Sequence, residues 1–290
     1  MPASLSVVEP PERPYLPPPL KWAGGKRWLV PRLRHFTDAF PQHRLVEPFC
    51  GGLAVSLGLG PRRALLGDVN PYVVNFYHWL QRGLKIKIPM RNDAACYYEQ
   101  RDWFNHLARE GDTTSRESAE LFYYLNRTGF NGLCRFNQSG EFNVPFGRYK
   151  SIPYRRDLTA YREVLAGWEF VAGDFEGVER RPGDLIYADP PYAGVFGAYA
   201  QRRFLDVDQL RLAQWLAAHD GPVLASNADA DGIDELYRSL GFAVVHVSGP
   251  RRISCTGDRE PAREILAYRN PERGCVIPEA VLIAMIEGDC

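Results

Sequence analysis

The sequence predicts an α/β protein with a doubly wound sheet that is interrupted by a helical and hairpin insertion. Three observations lead to this prediction. An early segment has the strand, turn, helix and strand pattern of a β-α-β unit, the middle of the chain has a helical pattern followed by a hairpin signal, and α/β alternation then resumes. With 290 residues, 45% of them hydrophobic, the chain can bury a large core.

The N-terminal part divides into a tail and the β-α-β unit. Residues 9–19 are too rich in proline for a helix or a central strand, so residues 1–19 are predicted to be an extended tail. The predicted unit contains a strand at 44–49, a glycine turn, a helix ending at Leu59 and a second strand at 64–68.

Residues 81–156 are predicted to form the insertion. The pattern from Val73 to Leu125 is helical and rich in aromatic and charged residues. Segments 134–137 and 142–145 then flank the turn Gln138-Ser-Gly-Glu141, which is typical of a hairpin.

After the insertion the chain returns to the sheet, so residues 20–80 and 157–270 together form one discontinuous domain and residues 271–290 a C-terminal tail. A helix is predicted at 208–219. The predicted strands are 169–172, 184–188, 222–226, 242–247 and 264–268.

Composition excludes several classes of protein. The six cysteines form no C-x-x-C pair and no cluster with histidine, so neither a zinc site nor a disulfide framework is predicted. No apolar run reaches membrane-spanning length and the N-terminus lacks signal-peptide features, so we expect a cytoplasmic protein without a membrane partner and, by default, a monomer.

The formal net charge is zero, but positive charge is concentrated in one segment. Between Arg127 and Arg156 there are six basic residues and one acid, Glu141. This segment is a candidate phosphate-binding surface, although a solvated basic face is an equally common outcome for such a run.

The most distinctive motif is an apolar strand that ends in Asp189-Pro190-Pro191-Tyr192. An exocyclic amine on a base is a poor nucleophile because its lone pair is delocalised into the ring. Asp189 can accept one amine hydrogen, and the prolines can hold a backbone carbonyl at an angle that accepts the other. Tyr192 offers a stacking face. For an Asp-Pro pair alone a strand cap and turn would be favoured, but the full tetrapeptide favours chemistry on a planar amine.

The first β-α turn indicates a cofactor site. Phe49, Gly51 and Gly52 lie where a ligand can approach the backbone, and Asp68 ends the next strand, where an acid suits a ribose diol. The G-x-G-x-x-G pattern of NAD sites is absent, so S-adenosylmethionine is the better candidate cofactor. Trp22 and Lys26 are four residues apart, and a helix would place them on one face beside a cofactor carboxylate; a core tryptophan beside a surface lysine is the simpler alternative.

Two further segments combine residues that suit DNA. Residues 126–135 alternate glycines, an aromatic ring, amides and arginines, and residues 142–150 contain the same mixture. Such side chains can enter a base stack, bind base edges and contact phosphates. Asn-Gly is also an ordinary turn signal, so a plain loop before the hairpin is the alternative.

Together, these motifs closely resemble the Dam-type, D12 class DNA adenine-N6 methyltransferases. The matching segments are 21–26, 47–51, 68–70, 126–150 and 189–192. They occur in the family's order, from Leu20 to about Asn270. The resemblance implies a class I S-adenosylmethionine-dependent methyltransferase fold, which is Rossmann-like, with residues 81–156 as the target-recognition domain. It also implies methyl transfer to a flipped-out adenine in duplex DNA, at GATC or a related site.

The resemblance assigns roles to particular residues. The cofactor contacts are Trp22, Lys26, Phe49, Gly51, Asp68 and Asp189; the catalytic strand end is Asp189, Pro190 and Tyr192; and the DNA contacts are Lys21, Phe130, Asn131, Leu133, Arg135, Pro145 and Arg148. Of these DNA contacts, Leu133 and Arg135 match base-reading positions, and Phe130 and Asn131 match the pair that probes the stack. No metal is implied. One position departs from the family, which usually has a second glycine where this chain has Leu53.

Two other functions remain open at this point. Similar Pro-Pro-Tyr motifs occur in methyltransferases that act on RNA or on glutamine amides, and a DNA-binding relative could have lost catalysis. The basic segment at 127–156 disfavours a protein substrate, and the presence of Lys26, Asp68, Asp189 and Tyr192 disfavours loss of catalysis. The sequence does not assign the protein to a restriction-modification system, a phage or a housekeeping pathway.

Overall fold

The structure, a computed structural model, describes residues 16–192, 204–249 and 262–270. Seven strands form a single sheet in the order β3-β2-β1-β4-β5-β7-β6. The strands are β1 (Arg44–Glu47), β2 (Ala64–Asp68), β3 (Trp168–Ala172), β4 (Asp184–Ala188), β5 (Val223–Ala228), β6 (Ala243–Gly249) and β7 (Ala262–Arg269). Every strand predicted from the sequence is present, with ends that differ by a few residues.

Strands β1 to β5 pair in parallel, whereas β7 is antiparallel to both of its neighbours, β5 and β6. Strands β2 and β3 lie on one side of β1, and β4, β5, β7 and β6 lie on the other. The strand order therefore reverses between β1 and β4. In open α/β sheets ligands bind at such a switch point, outside the carboxyl ends of the strands. The predicted doubly wound sheet is confirmed, and its switch point lies where the glycine turn and Asp189 leave the sheet.

The sheet is covered on both faces. Successive side chains of a strand point to opposite faces of the sheet. Leu45 and Leu185 therefore belong to one hydrophobic cluster, and Val46 and Ile186 belong to the other. All residues of the central strands β1 and β4 are buried, including the charged residues at their ends, Arg44, Glu47 and Asp184.

Eight α-helices lie in the described part of the chain: α1 (Val30–Thr37), α2 (Ala54–Leu59), α3 (Pro71–Gln81), α4 (Ala94–Arg109), α5 (Arg116–Thr128), α6 (Ala160–Leu165), α7 (Asp206–Ala217) and α8 (Ile233–Ser239). Helices α2 and α7 fall where the sequence predicts them, whereas α1, α6 and α8 were not predicted. None of the helices in these described ranges is long and apolar enough to cross a membrane.

The predicted helical stretch from Val73 to Leu125 consists of α3, α4 and α5. Asp93 and Ser115 cap the N-termini of α4 and α5, since their side chains accept hydrogen bonds from Cys96 N and Ser118 N. Both helices belong to the same hydrophobic cluster as one face of the sheet, and α5 packs directly on α3. The inserted region therefore shares a continuous core with the sheet.

The predicted hairpin is also present, in a short form. Phe136 and Phe142 form an isolated antiparallel bridge, and Asn143 N donates to Arg135 O at 3.1 Å. Both phenylalanine rings are buried, in edge-to-face contact with centroids 5.6 Å apart. The hairpin is thus anchored to the insertion by its own aromatic side chains.

Candidate active site

The sheet register brings three polar side chains to one edge of the sheet. Ala188 at the end of β4 pairs with Ala225 of β5, so Asp189 lies beside Ser226. Strand β7 runs in the opposite direction, and Glu264 near its start pairs with Ala228 near the end of β5. These three residues come from distant parts of the sequence, and only the sheet places them together.

Asp189 is held through one oxygen. Ser226 Oγ donates to Asp189 Oδ1 at 2.8 Å, and Lys26 Nζ lies 3.3 Å from the same atom. Tyr187 OH is 3.0 Å from Ser226 Oγ, which adds a second buried hydroxyl to the chain of hydrogen bonds. Among the described residues these contacts all converge on Oδ1, so Oδ2 is available to accept a hydrogen from a substrate.

Lys26 is a buried cation between two acids. Its Nζ lies 3.3 Å from Asp189 Oδ1 and 3.7 Å from Glu264 Oε1, and donates to Gly24 O at 3.0 Å. Residues 21–26 form a loop with a turn at 23–24, not the helix that would put Trp22 and Lys26 on one face. The expectation that Lys26 is simply exposed at the surface is also wrong, because its side chain is 4% exposed.

Tyr192 is fixed at both its ring and its hydroxyl. Lys26 Nζ lies 4.4 Å from the centroid of the ring, and the hydroxyl donates to Glu264 Oε2 at 2.7 Å. Burial raises the pKa of Tyr192 well above its usual range, so the hydroxyl stays protonated and can donate. The hydroxyl therefore has a partner, which a purely stacking role did not anticipate.

The backbone at the two prolines after Asp189 is held by a side chain of α7. Gln209 of α7 donates from Nε2 to Pro191 O at 2.9 Å, and Asn227 of β5 donates to Gln209 Oε1 at 2.9 Å. Both amides are buried, and Pro190 is buried as well. Proline fixes φ, and this amide pair fixes the following carbonyl, so the backbone after Asp189 is rigid.

The glycine turn after β1 is tied to the end of β2. Asp68 accepts hydrogen bonds from Gly51 N at 3.1 Å and Asn70 N at 2.8 Å, and the hydroxyl of Tyr77 donates to Gly51 O. Burial raises the pKa of Asp68 to about 6, against the opposing effect of these N–H donors. Near neutral pH the carboxylate is thus mostly ionised and can accept further hydrogen bonds.

Trp22 packs directly on this turn. A Cβ atom on Gly51 would lie 2.5 Å from Trp22 Nε1, and one on Gly52 would lie 2.7 Å from Trp22 Cβ, so both positions need glycine. Phe49 stands beside the turn against Phe175 and Phe204, with ring centroids 5.7 and 5.8 Å away. The predicted cofactor residues Trp22, Phe49, Gly51 and Asp68 thus surround one turn.

The position that departs from the family is conformationally unusual. Leu53 has a φ of 61°, in the left-handed region that favours glycine, and its side chain is fully buried. Burial of the leucine side chain offsets the backbone strain. The turn therefore keeps a glycine-like backbone shape at this position without a glycine.

Glu47 at the end of β1 is a buried carboxyl that the sequence did not single out. It accepts a hydrogen bond from Ser56 Oγ, and burial raises the pKa of Glu47 to about 8, with a further contribution from the nearby charge of Asp189. The group is therefore mainly neutral at pH 7 and adds little negative charge to the site.

The two segments with DNA-binding character lie next to each other. Phe130 N donates to Pro145 O at 2.8 Å, and Gly147 N donates to Thr128 O at 3.0 Å. Phe130 is 46% exposed although it is a large apolar side chain, and Asn131 has a φ of 52°. Phe130 and Asn131 are thus adjacent exposed residues, the second in the left-handed region that asparagine tolerates.

Arg135, Leu133 and Arg148 lie on the same part of the insertion. Arg135 is half-buried and preorganised, since its Nε donates to Asn143 Oδ1 at 2.7 Å and its Nη2 to Asn143 O at 3.1 Å. Leu133 is half-buried, and Arg148 is exposed with a φ of 51°. Of the basic residues in this segment, Arg148, Lys150, Arg155 and Arg156 are exposed and Arg127 and Arg135 are half-buried.

Lys21 joins this surface to the catalytic half. Its Nζ donates to Arg127 O at 2.8 Å and lies 3.7 Å from the centroid of the Tyr149 ring, while its main chain exchanges two hydrogen bonds with the Asn126 side chain. Burial, followed by the charge of Arg127, lowers the pKa of Lys21 to about 8. Gly132 packs against the Lys21 side chain, because a Cβ there would lie 2.3 Å from Lys21 Cβ.

Four residues of the site received no role from the sequence: Glu47 and Asn70, which lie within matching segments, and Ser226 and Glu264, which lie outside them. Asn70 connects the two halves of the site, since its side chain accepts from Tyr72 N and donates to the Cys134 sulfur of the insertion at 3.3 Å. Polar residues at the ends of apolar strands, such as Ser226-Asn227, were the available signal. Their contact with Asp189 depends on sheet register, which the sequence pattern does not specify.

Fold and site together define a class I methyltransferase fold, as predicted. A family model described as D12 class N6 adenine-specific DNA methyltransferase matches residues 22–253. The chain therefore belongs to the D12 class of N6 adenine-specific DNA methyltransferases, and the resemblance in its motifs is confirmed.

Curated relatives agree with this assignment. The chain is 34% identical over 264 residues to the Retron Ec67 DNA adenine methylase of Escherichia coli, covering 86% of this chain and 90% of that protein. It is 37% identical over 281 residues to a DNA adenine methylase of Escherichia coli, covering 89% and 96%. A DNA adenine methylase of Vibrio cholerae is 38% identical over 275 residues, covering 87% and 95%.

Proposed function

We propose that this protein transfers a methyl group from S-adenosylmethionine to the N6 amine of a flipped-out adenine in double-stranded DNA, within GATC or a related short site. The observation that carries the proposal is the geometry of Asp189. Ser226 and Lys26 hold Oδ1, and Oδ2 is available at the switch point of a D12 class fold. A carboxylate fixed in this way is a preorganised acceptor for one amine hydrogen.

The strand end supplies the remaining parts of the reaction. The Pro190 carbonyl accepts the second amine hydrogen, so that the nitrogen lone pair turns out of the ring plane towards the methyl group. Tyr192 stacks on the adenine, with its ring held by Lys26 and Glu264. Flipping the base costs a few kcal/mol of stacking and pairing, which stacking on Tyr192 partly offsets.

The residues around the first β-α turn fit an adenosyl cofactor. Asp68 provides a buried carboxylate for a ribose diol, the glycine turn lets a ligand approach the backbone, and Trp22 and Phe49 flank the turn with aromatic surface. Lys26, whose ammonium lies between Asp189 and Glu264, is the proposed partner of a cofactor carboxylate. When bound, the cofactor supplies an activated methyl group. The chain itself positions the amine and excludes water from the site.

The insertion supplies contacts to DNA. Arg135 and Leu133 read base edges, Lys21, Pro145 and Arg148 make further target contacts, and Phe130 with Asn131 enters the base stack. The exposure of Phe130 and the fixed guanidinium of Arg135 support these roles. A preorganised arginine loses little entropy when it binds a guanine edge in the major groove.

A methylation assay tests this function directly. Purified protein is incubated with S-adenosylmethionine labelled in its methyl group and with duplexes that carry GATC or each single-base variant, at fixed salt because phosphate contacts depend on it. We expect label in the adenine of GATC, and none with Asp189→Ala although that variant still binds duplex. Methylation of RNA or protein instead of duplex DNA, or full activity of Asp189→Ala, would contradict the proposal.

A further inference from the structure

The charged groups around Asp189 do not balance. Two carboxylates, Asp189 and Glu264, face one ammonium, that of Lys26, at 3.3 and 3.7 Å. Among the described residues neither acid has another ion-pair partner. Glu47 adds little to this balance, because its carboxyl is mainly neutral at pH 7. With both carboxyl groups ionised, the cluster carries about one uncompensated negative charge in a largely buried site.

In the proposed reaction Glu264 only holds the Tyr192 hydroxyl, and its charge has no role. Asp189 accepts from the amine, Lys26 is a cofactor contact and Tyr192 stacks on the base. Glu264 is 6% exposed, and each of its oxygens has one partner, Lys26 Nζ or Tyr192 OH. Burying a carboxylate is costly, so an acid at this position calls for a compensating role.

Burial raises the pKa of Glu264, and Lys26 together with the Tyr192 hydroxyl opposes that shift. Tyr192 donates its hydrogen to Oε2, which suits an ionised acceptor. A neutral glutamine could accept the same hydrogen bond, so hydrogen bonding alone does not require an acid here. The property that only an acid supplies is negative charge.

The proposed reaction changes the charge of the bound cofactor. S-adenosylmethionine carries a methylsulfonium cation. When the amine nitrogen takes the methyl group, the sulfur keeps the electron pair of the broken S–C bond and becomes a neutral thioether, while one amine proton is released. The donor therefore has one more positive charge than S-adenosylhomocysteine, its product. A site with one excess negative charge attracts the donor more strongly than the product.

We propose that Glu264 is a specificity-determining residue that lets the site distinguish the positively charged methyl donor from its neutral product. The inference rests on the proposed function, since it assumes that S-adenosylmethionine binds at this site. It follows from a count of charges and requires that the sulfonium lie close enough to Glu264 for their attraction to exceed solvent screening. Glu264 would thus favour loading of fresh donor and release of spent cofactor.

Isothermal titration calorimetry of the full chain measures this selectivity without any turnover. The ligands are S-adenosylmethionine, S-adenosylhomocysteine and sinefungin, whose amine carries a positive charge where the donor has its sulfonium. Glu264→Gln should reduce the preference for the two charged ligands over S-adenosylhomocysteine by about tenfold, the effect of a unit charge at a moderate effective dielectric.

Two further variants separate charge from structure. Glu264→Asp keeps the charge on a shorter side chain, so it should shift all three affinities together and leave their ratios unchanged. Glu235→Gln removes the same charge from an exposed position on α8 and should change none of them. Thermal unfolding of each variant establishes that it is folded before titration.

The possible outcomes distinguish the two proposals. If Glu264→Gln weakens charged and neutral ligands by the same factor, Glu264 only supports the shape of the site and the inference is wrong, although the proposed function stands. If the unaltered protein binds none of the three ligands, the proposed cofactor is wrong and the inference fails with it.

Discussion

Asp189 and its supporting side chains determine the behaviour of the site at the scale of single residues. Ser226 and Lys26 both contact Oδ1, so the direction of the second oxygen depends on partners outside the Asp189-Pro190-Pro191-Tyr192 motif. In the proposed reaction the serine hydroxyl on the neighbouring strand is therefore a positioning group, which acts through the carboxylate that it orients.

Removal of this hydroxyl tests the positioning role. We expect Ser226→Ala to lower kcat by about tenfold, as the loss of one hydrogen bond of roughly 1–1.5 kcal/mol would produce, with little change in KM for DNA. Ser239→Ala, which removes an exposed hydroxyl at the end of α8, is the control and should be neutral. Steady-state kinetics on a GATC duplex separate the two constants. A rise in KM alone would argue against positioning of the carboxylate.

Tyr192 combines a stacking surface with a hydroxyl bound to Glu264. Tyr192→Phe should retain more activity than Tyr192→Ala, because stacking contributes about 1–3 kcal/mol per base. If Tyr192 only stacked on the base, Tyr192→Phe would be as active as the unaltered protein. We expect its activity to be lower, because a hydrogen bond of about 1 kcal/mol is lost. Single-turnover methylation rates measure both effects. Equal losses in the two variants would give the hydroxyl the dominant role.

Arg135 and Arg155 should differ in the kind of effect that their removal has. Arg135 is held by Asn143, and its loss should cost about 1–3 kcal/mol and relax discrimination at one base pair. Arg155 is exposed outside the two matching segments, so Arg155→Ala should weaken binding evenly across sequences. Methylation of GATC and its single-base variants at fixed salt compares them. If Arg135→Ala lowers methylation equally on every duplex, Arg135 contacts only the DNA backbone and does not read a base.

At the scale of elements, apolar runs and turn residues predicted all seven strands and the hairpin. The helices α6 and α8 have only six and seven residues, too short for a clear 3.6-residue period, and α1 follows a loop that the sequence pattern left undefined. Sheet order and register were also beyond local patterns. Glu264 reaches the site only because β7 inserts antiparallel between β5 and β6.

The turn between β1 and α2 gives a test of backbone strain. Leu53→Ala removes buried surface and keeps a side chain in the left-handed region, whereas Leu53→Gly removes one further methyl group but relieves about 1–2 kcal/mol of strain. We therefore expect Leu53→Gly to be the more stable of the two in urea unfolding. Leu57, which lies inside α2, is the control. There the alanine variant should be more stable than the glycine variant, because glycine is unfavourable inside a helix. A less stable Leu53→Gly would mean that the turn relaxes in these variants.

At the scale of the whole molecule, one core extends from the sheet through α3 into α4, α5 and the hairpin. The sequence indicated the order of the catalytic half and the insertion, and the boundaries at residues 81 and 156 remain predictions. It did not indicate this shared core, because aromatic residues such as Tyr97 and Phe104 carry no local signal of their packing partners.

The stability of the whole chain should depend on pH through Glu47. Because its pKa is raised to about 8, the folded state binds its proton more tightly, and stability falls as pH rises towards that value. Burial lowers the pKa of His78 and His219, so these two histidines make stability rise with pH, and this contribution ends near pH 6.5. Asp68, like Glu47, makes stability fall with rising pH, but its contribution ends near its raised pKa of about 6. Between pH 6.5 and 8 we expect a loss of about 1 kcal/mol per pH unit.

Urea unfolding at several pH values within this window measures the slope, and Glu47→Gln should flatten it. A glutamine keeps an acceptor for Ser56 but has no proton to lose. Above pH 8 the folded chain releases the Lys21 proton before the unfolded chain does, so Lys21 alone would make stability rise with pH. The raised pKa values of Cys50 and Cys134 act in the opposite direction above about pH 9, so the slope is measured below pH 8. An unchanged slope in Glu47→Gln would assign the pH dependence to another group.

Lys21 and Trp22 are consecutive residues, of which one packs on the proposed DNA surface and the other on the proposed cofactor turn. Lys21 packs on Gly132 and binds the backbone of α5, while Trp22 packs on the Gly51-Gly52 turn. One peptide unit thus connects the proposed base-reading loop with the proposed cofactor turn. If a movement of one is passed to the other through this peptide, the two ligands affect each other reciprocally: whatever DNA does to cofactor affinity, the cofactor does equally to DNA affinity.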